Sequence, residues 1–321
     1  MKLTTYSYQQ QEQFGLIYGN HVFSLAAIAP SMLSFLAGGS STMQAALQVQ
    51  EKIALGSYTD QGIPIAHIQL MAPIPRPNSF RDAYAFRQHV ETSRRNRGLA
   101  MIPEFDLFPV FYFSNHLAIY GPGEIKAMPL HFEQMDFELE VAVLINKQGR
   151  NIPAAEADGY IAGYMIMNDL SARKLQMDEM KLNLGPAKGK DFATAIGPYL
   201  VTKDELAPYL SPTPAGHIGD CYSLEMTCQV NGIQVSQGNL AAMHWTFAEL
   251  IERISYGVDI YPGDLIGSGT VGTGCFLELN GTARLANASH QDQWLLPTDE
   301  ISLQVTGLGT LSNSIQLYAQ S

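Results

Sequence analysis

The sequence predicts a β-rich α+β fold, on three observations. Strand-like apolar runs recur at 140–145, 160–167, 222–230, 276–279 and 301–305. Helical stretches are short and scattered, with no βαβ alternation, so a doubly wound parallel sheet is not expected. The 321 residues are 46% hydrophobic and 15% charged, enough apolar material for a large core and too much for disorder.

The elements follow in chain order. Residues 14–25 alternate loosely around Gly19-Asn20, a good hairpin turn. Ser40 and Ser41 can cap a helix reaching about Leu55, and residues 62–70 look like a strand. MAPIPRPNSF (71–80) then places three prolines in five positions, which stiffens the chain and marks a boundary: a small module over 1–72 and a larger domain over 73–321. Ser79 is a plausible N-cap for a helix through residues 79–98. Beyond it, Asn231-Gly232, Pro262-Gly263-Asp264 and Asn280-Gly281 read as turns between strands.

Charge and targeting signals narrow the function. Nineteen Lys and Arg against 30 Asp and Glu leave a net charge of −11, the wrong sign for a nucleic-acid partner. No apolar run approaches the ~20 residues of a membrane span. The N-terminus MKLTTYSYQQQEQFG lacks the apolar segment of a secretory signal. Cys221, Cys228 and Cys275 are odd in number and lack metal-site spacing, which suits a reducing cytoplasm.

Three segments carry candidate chemistry. In MDFELEVAVLI (135–145) a strand places Asp136, Glu138 and Glu140 on one face and Phe137, Leu139 and Val141 on the other. That face is either a solvated strand surface or half of a site for a hard cation, since the donors are all oxygen. In GYMIMNDLSARK (163–174) Asp169 is either a helix N-cap or a third ligand fixed at a strand end. On a regular helix, Asp82 and His89, seven residues apart, lie within about 20° of one line with Phe86 on the same face. They read as a surface Asp with a core His, or as a ligand and an imidazole sharing one cavity. Arg94, Arg95 and Arg97 either complement the helix dipole or clamp a carboxylated substrate. Other motifs fail: GPAKGKD (185–191) is one residue short of a P-loop, SGTVGTG (268–274) is not a dinucleotide fingerprint, and there is no G-x-S-x-G or H-E-x-x-H.

Taken together, DAYAFRQH (82–89), DFELE (136–140), MNDLSAR (167–173) with LGPAKGKDF (184–192), PGDLIGSGTVG (262–272) and FLELNG (276–281) resemble the fumarylacetoacetate hydrolase family, most nearly its fumarylacetoacetase branch. The resemblance implies a mixed β-sandwich and roll catalytic domain behind a small N-terminal domain. It implies Asp82, Glu138, Glu140 and Asp169 as ligands of a divalent cation, Mg²⁺ or Ca²⁺ with Mn²⁺ as an alternative. It implies His89 as the base, Glu278 as its partner acid and Lys190 as an oxyanion stabiliser. Tyr84, Tyr112, Gln176, Thr270 and, by weaker spacing, Arg97 would contact substrate. The implied activity is hydrolysis of a carbon–carbon bond in a small 1,3-diketo acid of the fumarylacetoacetate or acylpyruvate type, by His-activated water with the leaving carbanion held as an enolate. The alternative is an isomerase, hydratase or decarboxylase acting on a 2-oxo acid through the same enolate. A homodimer is expected by the same analogy, with the apolar tract at 251–266 as its interface.

Overall fold

The structure is a computed structural model and describes residues 1–318. A twelve-stranded sheet runs, edge to edge, through Ile63–Pro64, His21–Ser24, Gln11–Tyr18, Lys2–Tyr8, Thr194–Val201, Ile161–Asp169, Leu139–Ile145, Leu265–Gly267, Phe80–Ala83 and Phe111–Phe113. Gln69–Leu70 and Ile119–Tyr120 attach to its side. A five-stranded sheet orders Ile233–Asn239, Glu225–Val230, Glu300–Val305, Gly309–Leu317 and Gly123–Ala127.

The strand Leu139–Ile145 shows how the layers form. All seven residues are buried, so the strand reads as a continuous apolar run although its side chains alternate. Val141, Val143 and Ile145 pack in a core shared with Met226, Leu303, Leu311 and Ile315 of the five-stranded sheet. Ala142 and Leu144 face the other way, onto Met32, Phe35 and Leu36 of the N-terminal helix Met32–Ala37. One sheet is thus sandwiched between a second sheet and helices. The N-terminal strands continue it, with Lys2 opposite Val201 and Leu3 opposite Leu200.

Several local expectations are corrected. Residues 79–98 are not one helix: Phe80–Ala83 is a strand, parallel to Leu265–Gly267 and antiparallel to Phe111–Phe113. The helix starts only at Arg87 and ends at Arg95. Sheet pairing on both sides overrides the helix propensity of DAYAF. Phe276–Ala286 is a helix, not a strand with an Asn280-Gly281 turn. Its first free amides, those of Phe276 and Leu277, donate to the Asp136 carboxylate at 2.7 and 2.9 Å. Gly281 lets it lie against the Arg87–Arg95 helix, since a Cβ there would come 2.6 Å from Asn96 Nδ2. Residues 62–70 break into two-residue strands around a short turn at Ile65–His67. The N-terminal helix Gly39–Ala54 begins without a Ser cap. The apolar tract at 251–266 is divided: Ile251, Ile254, Ile260, Leu265 and Ile266 belong to the core, while Tyr256, Val258 and Tyr261 are exposed.

Candidate active site

Six neighbouring strands of the large sheet meet here, and five of them deliver a polar side chain. Thr194 opens one strand and pairs with Asp169, the last residue of the next. Glu140 stands near the start of the third, opposite Met167. Gly267 closes the fourth, opposite Asp82 on the fifth, and Tyr112 lies beyond Asp82. Gly267 makes room for this convergence, because a Cβ would fall 2.3 Å from Asp82 Oδ1 and 2.3 Å from Met167 Cε.

Ligating oxygens of Asp82, Glu138 and Glu140 lie within 4.8 Å of one another, all three side chains buried. Glu140 accepts a 3.3 Å hydrogen bond from Thr270 Oγ1, while its Oε2 is buried without a partner. Asp169 is beside them but engaged: Oδ2 accepts from Tyr112 at 2.6 Å and Lys190 at 2.7 Å, and Oδ1 from Thr194 at 3.1 Å. Lys190 also bonds Glu138 Oε2. Arg173, fully buried, donates to Glu138 Oε1 at 2.8 Å, to Asp136 Oδ2 at 2.8 Å and to Gln176 Oε1 at 3.0 Å.

The electrostatics follow from burial and these partners. Burial, then Asp169 and Glu138 nearby, push the Asp82 carboxyl up to about 8 despite Lys190. Burial and the charges of Asp82, Glu138 and Asp169 hold Glu140 well above the usual carboxylate range. Burial also raises Asp169 against the pull of Lys190. Glu138 goes the other way: burial would raise it, yet Lys190 and Arg173 bring it down to about 2. Two cations therefore leave a surplus of buried acid, with one orphaned oxygen. The all-oxygen donor set and that orphan fit a hard divalent cation.

Alongside, His89 Nδ1 and Glu278 Oε2 are 2.6 Å apart, both buried. Asn96 Nδ2 donates to the Glu278 carbonyl at 3.0 Å and locks the two helices together. The Tyr84 ring stands edge-on to the imidazole at 5.9 Å. His89 lies near Glu138 of the acid group. Asp82 and His89 come from a strand and the first turn of the next helix rather than from one helix face, Asp82 in the acid group and His89 with Glu278.

Not every expected residue joins the cluster. Asp136 shares sequence parity with Glu138 but leaves the acid group, because the strand breaks at 137–138 and Asp136 turns to Arg173 and the Phe276–Ala286 helix. Asp169 does not cap a helix; Ala172 stands at that position. Gln176 touches Arg173, not the acids. Arg97 is exposed, its Nε donating to the Ser93 carbonyl at 3.1 Å.

Sequence reasoning missed Arg173, Thr194 and Glu179. Arg173 had a signal, as the one cation inside MNDLSAR. The P-loop-like segment holds an anion after all, but the anion is the protein's own: Glu179 accepts from the amides of Ala187 (2.9 Å), Lys188 (2.7 Å) and Gly189 (3.1 Å). That fixes the loop from which Lys190 reaches inward. A surface cavity of about 740 Å³ is lined by Leu107, Phe108, Trp245, Glu252, Arg253 and Tyr256, among others, and by none of Asp82, Glu138, Glu140 and Asp169. No helix among the described residues is long and apolar enough to cross a membrane.

A buried, cation-ready acid cluster beside a His–Glu dyad, mounted on a β-sandwich, defines a class of enzyme. The family described as "Fumarylacetoacetate (FAA) hydrolase C-terminal" matches residues 78–316, and the chain belongs to it. Among its relatives are a mitochondrial oxaloacetate tautomerase, FAHD2A, of Homo sapiens, 28% identical over 92% of this chain and 84% of that protein. Another is the oxaloacetate tautomerase YisK of Bacillus subtilis, 28% identical over 92% of this chain and 89% of that one. The fold is shared with a fumarylacetoacetate hydrolase from Exiguobacterium antarcticum, at a TM-score of 0.70 and 20% identity over 99% of this chain and 100% of that one. It is shared too with a probable 2-hydroxyhepta-2,4-diene-1,7-dioate isomerase from Mycobacterium abscessus, at 0.68 and 24% over all of both chains.

Proposed function

We propose that the protein is a divalent-cation-dependent enzyme that moves a proton next to the carbonyl of a small 2-oxo acid, interconverting enol and keto forms of an oxaloacetate-type substrate. The His89–Glu278 contact at 2.6 Å carries the reading. The tautomerase names of relatives covering 92% of the chain support it. The expected C–C hydrolase becomes the second reading.

Asp82, Glu138 and Glu140, with Asp169 beside them, would hold the cation. Once bound, it supplies Lewis acidity that makes the proton beside the 2-oxo group easier to remove. The chain's own groups do the rest. Glu278 accepts the Nδ1 proton of His89, which fixes the tautomer and leaves Nε2 as the free base. From the keto acid, Nε2 takes a proton from C3; the C–H electron pair forms C2=C3, the C=O pair moves onto oxygen, and the imidazolium returns its proton there to leave a hydroxyl and a neutral His89. In reverse, Nε2 takes the enol hydroxyl proton, C2=O re-forms, and the resulting imidazolium, which Glu278 stabilises, delivers that proton to C3. Such acid–base help is typically worth ~10²–10⁴ in rate. Lys190, with two of its three N–H bonds engaged by Glu138 and Asp169, would turn the third towards oxygen where charge develops, while Tyr112 spends its one hydroxyl proton holding Asp169.

The second reading rests on the same dyad: an imidazole oriented by a carboxylate can equally deprotonate water for cleavage of a 1,3-diketo acid. One experiment separates them. With Mg²⁺ present, loss of enol-oxaloacetate absorbance is followed beside acylpyruvate and fumarylacetoacetate, with products identified by mass. Catalysed enol loss without cleavage supports the tautomerase. Two acids from a diketo acid, with no effect on the enol, overturn it.

A further inference from the structure

We propose that His89, Cys275 and Glu278 form a second metal site, for Zn²⁺ or a similarly thiophilic divalent ion, and that filling it disables His89. The binding half of this inference stands on geometry alone; the inhibitory half rests on His89 being the base proposed above.

Ligand atoms of the three residues lie within 4.8 Å of one another. All are buried, at 6%, 0% and 3% exposure respectively. Cys275 immediately precedes the Phe276–Ala286 helix and Glu278 falls in its first turn, so a single turn of chain presents sulfur and carboxylate together. The Arg87–Arg95 helix supplies the imidazole. One nitrogen, one sulfur and one oxygen suit a tetrahedral borderline-soft ion with a fourth position for water. A hard ion such as Mg²⁺ prefers the oxygen-only group of Asp82, Glu138 and Glu140. The two sets of ligands, side by side, therefore sort ions by softness.

The proton balance explains the inhibition. The ion replaces the proton between His89 and Glu278, and their 2.6 Å contact opens to about 3.3 Å, the separation of two ligands on one tetrahedral zinc. The displaced Nδ1 proton moves to Nε2, so the ring stays neutral but no longer offers a lone pair. The Cys275 thiol gives up its proton to solvent and binds as thiolate. One proton leaves per ion bound, and no redox partner is needed.

The test uses the full-length protein with Mg²⁺ in excess. Co²⁺ serves as the spectroscopic probe: a thiolate-to-cobalt charge-transfer band should appear in the wild type and be missing in Cys275→Ser and Cys275→Ala. Zn²⁺ should inhibit the wild type, and both variants should need about tenfold more Zn²⁺ or above, the loss of about 1.4 kcal/mol of binding. Both should keep Mg²⁺-supported turnover within about twofold, since Cys275 takes no part in the proton transfer. No charge-transfer band in the wild type, or equal Zn²⁺ sensitivity in all three proteins, overturns the site. The band needs no turnover, so its presence in an inactive preparation would condemn the proposed reaction and leave the metal site standing.

Discussion

Replacing Lys190 with methionine isolates the electrostatics of the acid cluster. Its ammonium bonds both Glu138 and Asp169, and all three side chains are at most 7% exposed. Breaking a buried ion pair typically costs 3–5 kcal/mol, because the partner is left charged and desolvated. Here the loss sits at the lower end, about 3 kcal/mol, since Glu138 keeps Arg173 and Asp169 keeps Tyr112 and Thr194. At roughly 2 °C per kcal/mol for a chain of this size, melting should fall by about 6 °C in EDTA. Adding Mg²⁺ should recover part of this, because a ligand at 100 times its Kd contributes about 2.7 kcal/mol. Adding Asp169→Asn to Lys190→Met removes one of the orphaned charges, so the double variant should melt above the single one in EDTA. Scanning calorimetry of the three proteins with and without Mg²⁺ gives all these comparisons. A Lys190→Met protein that melts within about 1 °C of wild type in EDTA refutes the reasoning, for the acids would then not depend on that cation.

Further outcomes follow from the same network. Glu140→Gln removes the acid with the orphaned oxygen; calorimetric titration should show Mg²⁺ binding about 100-fold weaker, while the EDTA-treated variant melts above wild type because like-charge repulsion is relieved. Asp136→Asn loosens both Arg173 and the helix carrying Glu278; kcat should fall roughly tenfold to a hundredfold with KM little changed, as expected of a misplaced catalytic group. His131 gives a pH signature away from the site. Burial, with Lys188 secondary, lowers its imidazole from 6.5, and the ring stacks on Phe192 at 4.0 Å. The folded state thus binds the proton less readily than the unfolded one. Its contribution to stability is full above 6.5 and shrinks as pH falls below that value. Denaturant melts at pH 5 to 7, compared with His131→Gln, should show a shallower acid loss in the variant.

Much of this was legible beforehand where local pattern and tertiary demand agree. Glu138 and Glu140 do meet in one group although the strand begins only at Leu139, and the all-oxygen chemistry followed from the residue types. Asp169 at a strand end held as geometry. The single helix face expected to carry both Asp82 and His89 does not form. Sheet partners that come from residues 111–113 and 265–267 turned the Asp82 segment into a strand, and no window around residue 82 contains them. FLELNG likewise looked like a strand until Asp136, 140 positions away, capped its amides. Arg173 and Glu179 escaped notice because their roles exist only once the acids and the 185–191 loop have been brought together. Arg97 illustrates the opposite limit: a cation near the right place in sequence, yet held at the surface by its own helix end.

The most direct test of the account is where a hard divalent ion sits. Crystals grown with Mn²⁺ in place of Mg²⁺, with anomalous scattering recorded, should show one dominant peak bonded to oxygens of Asp82, Glu138 and Glu140, with the His89–Glu278 pair intact beside it. No peak at saturating Mn²⁺, or a dominant peak away from those three carboxylates, would contradict it.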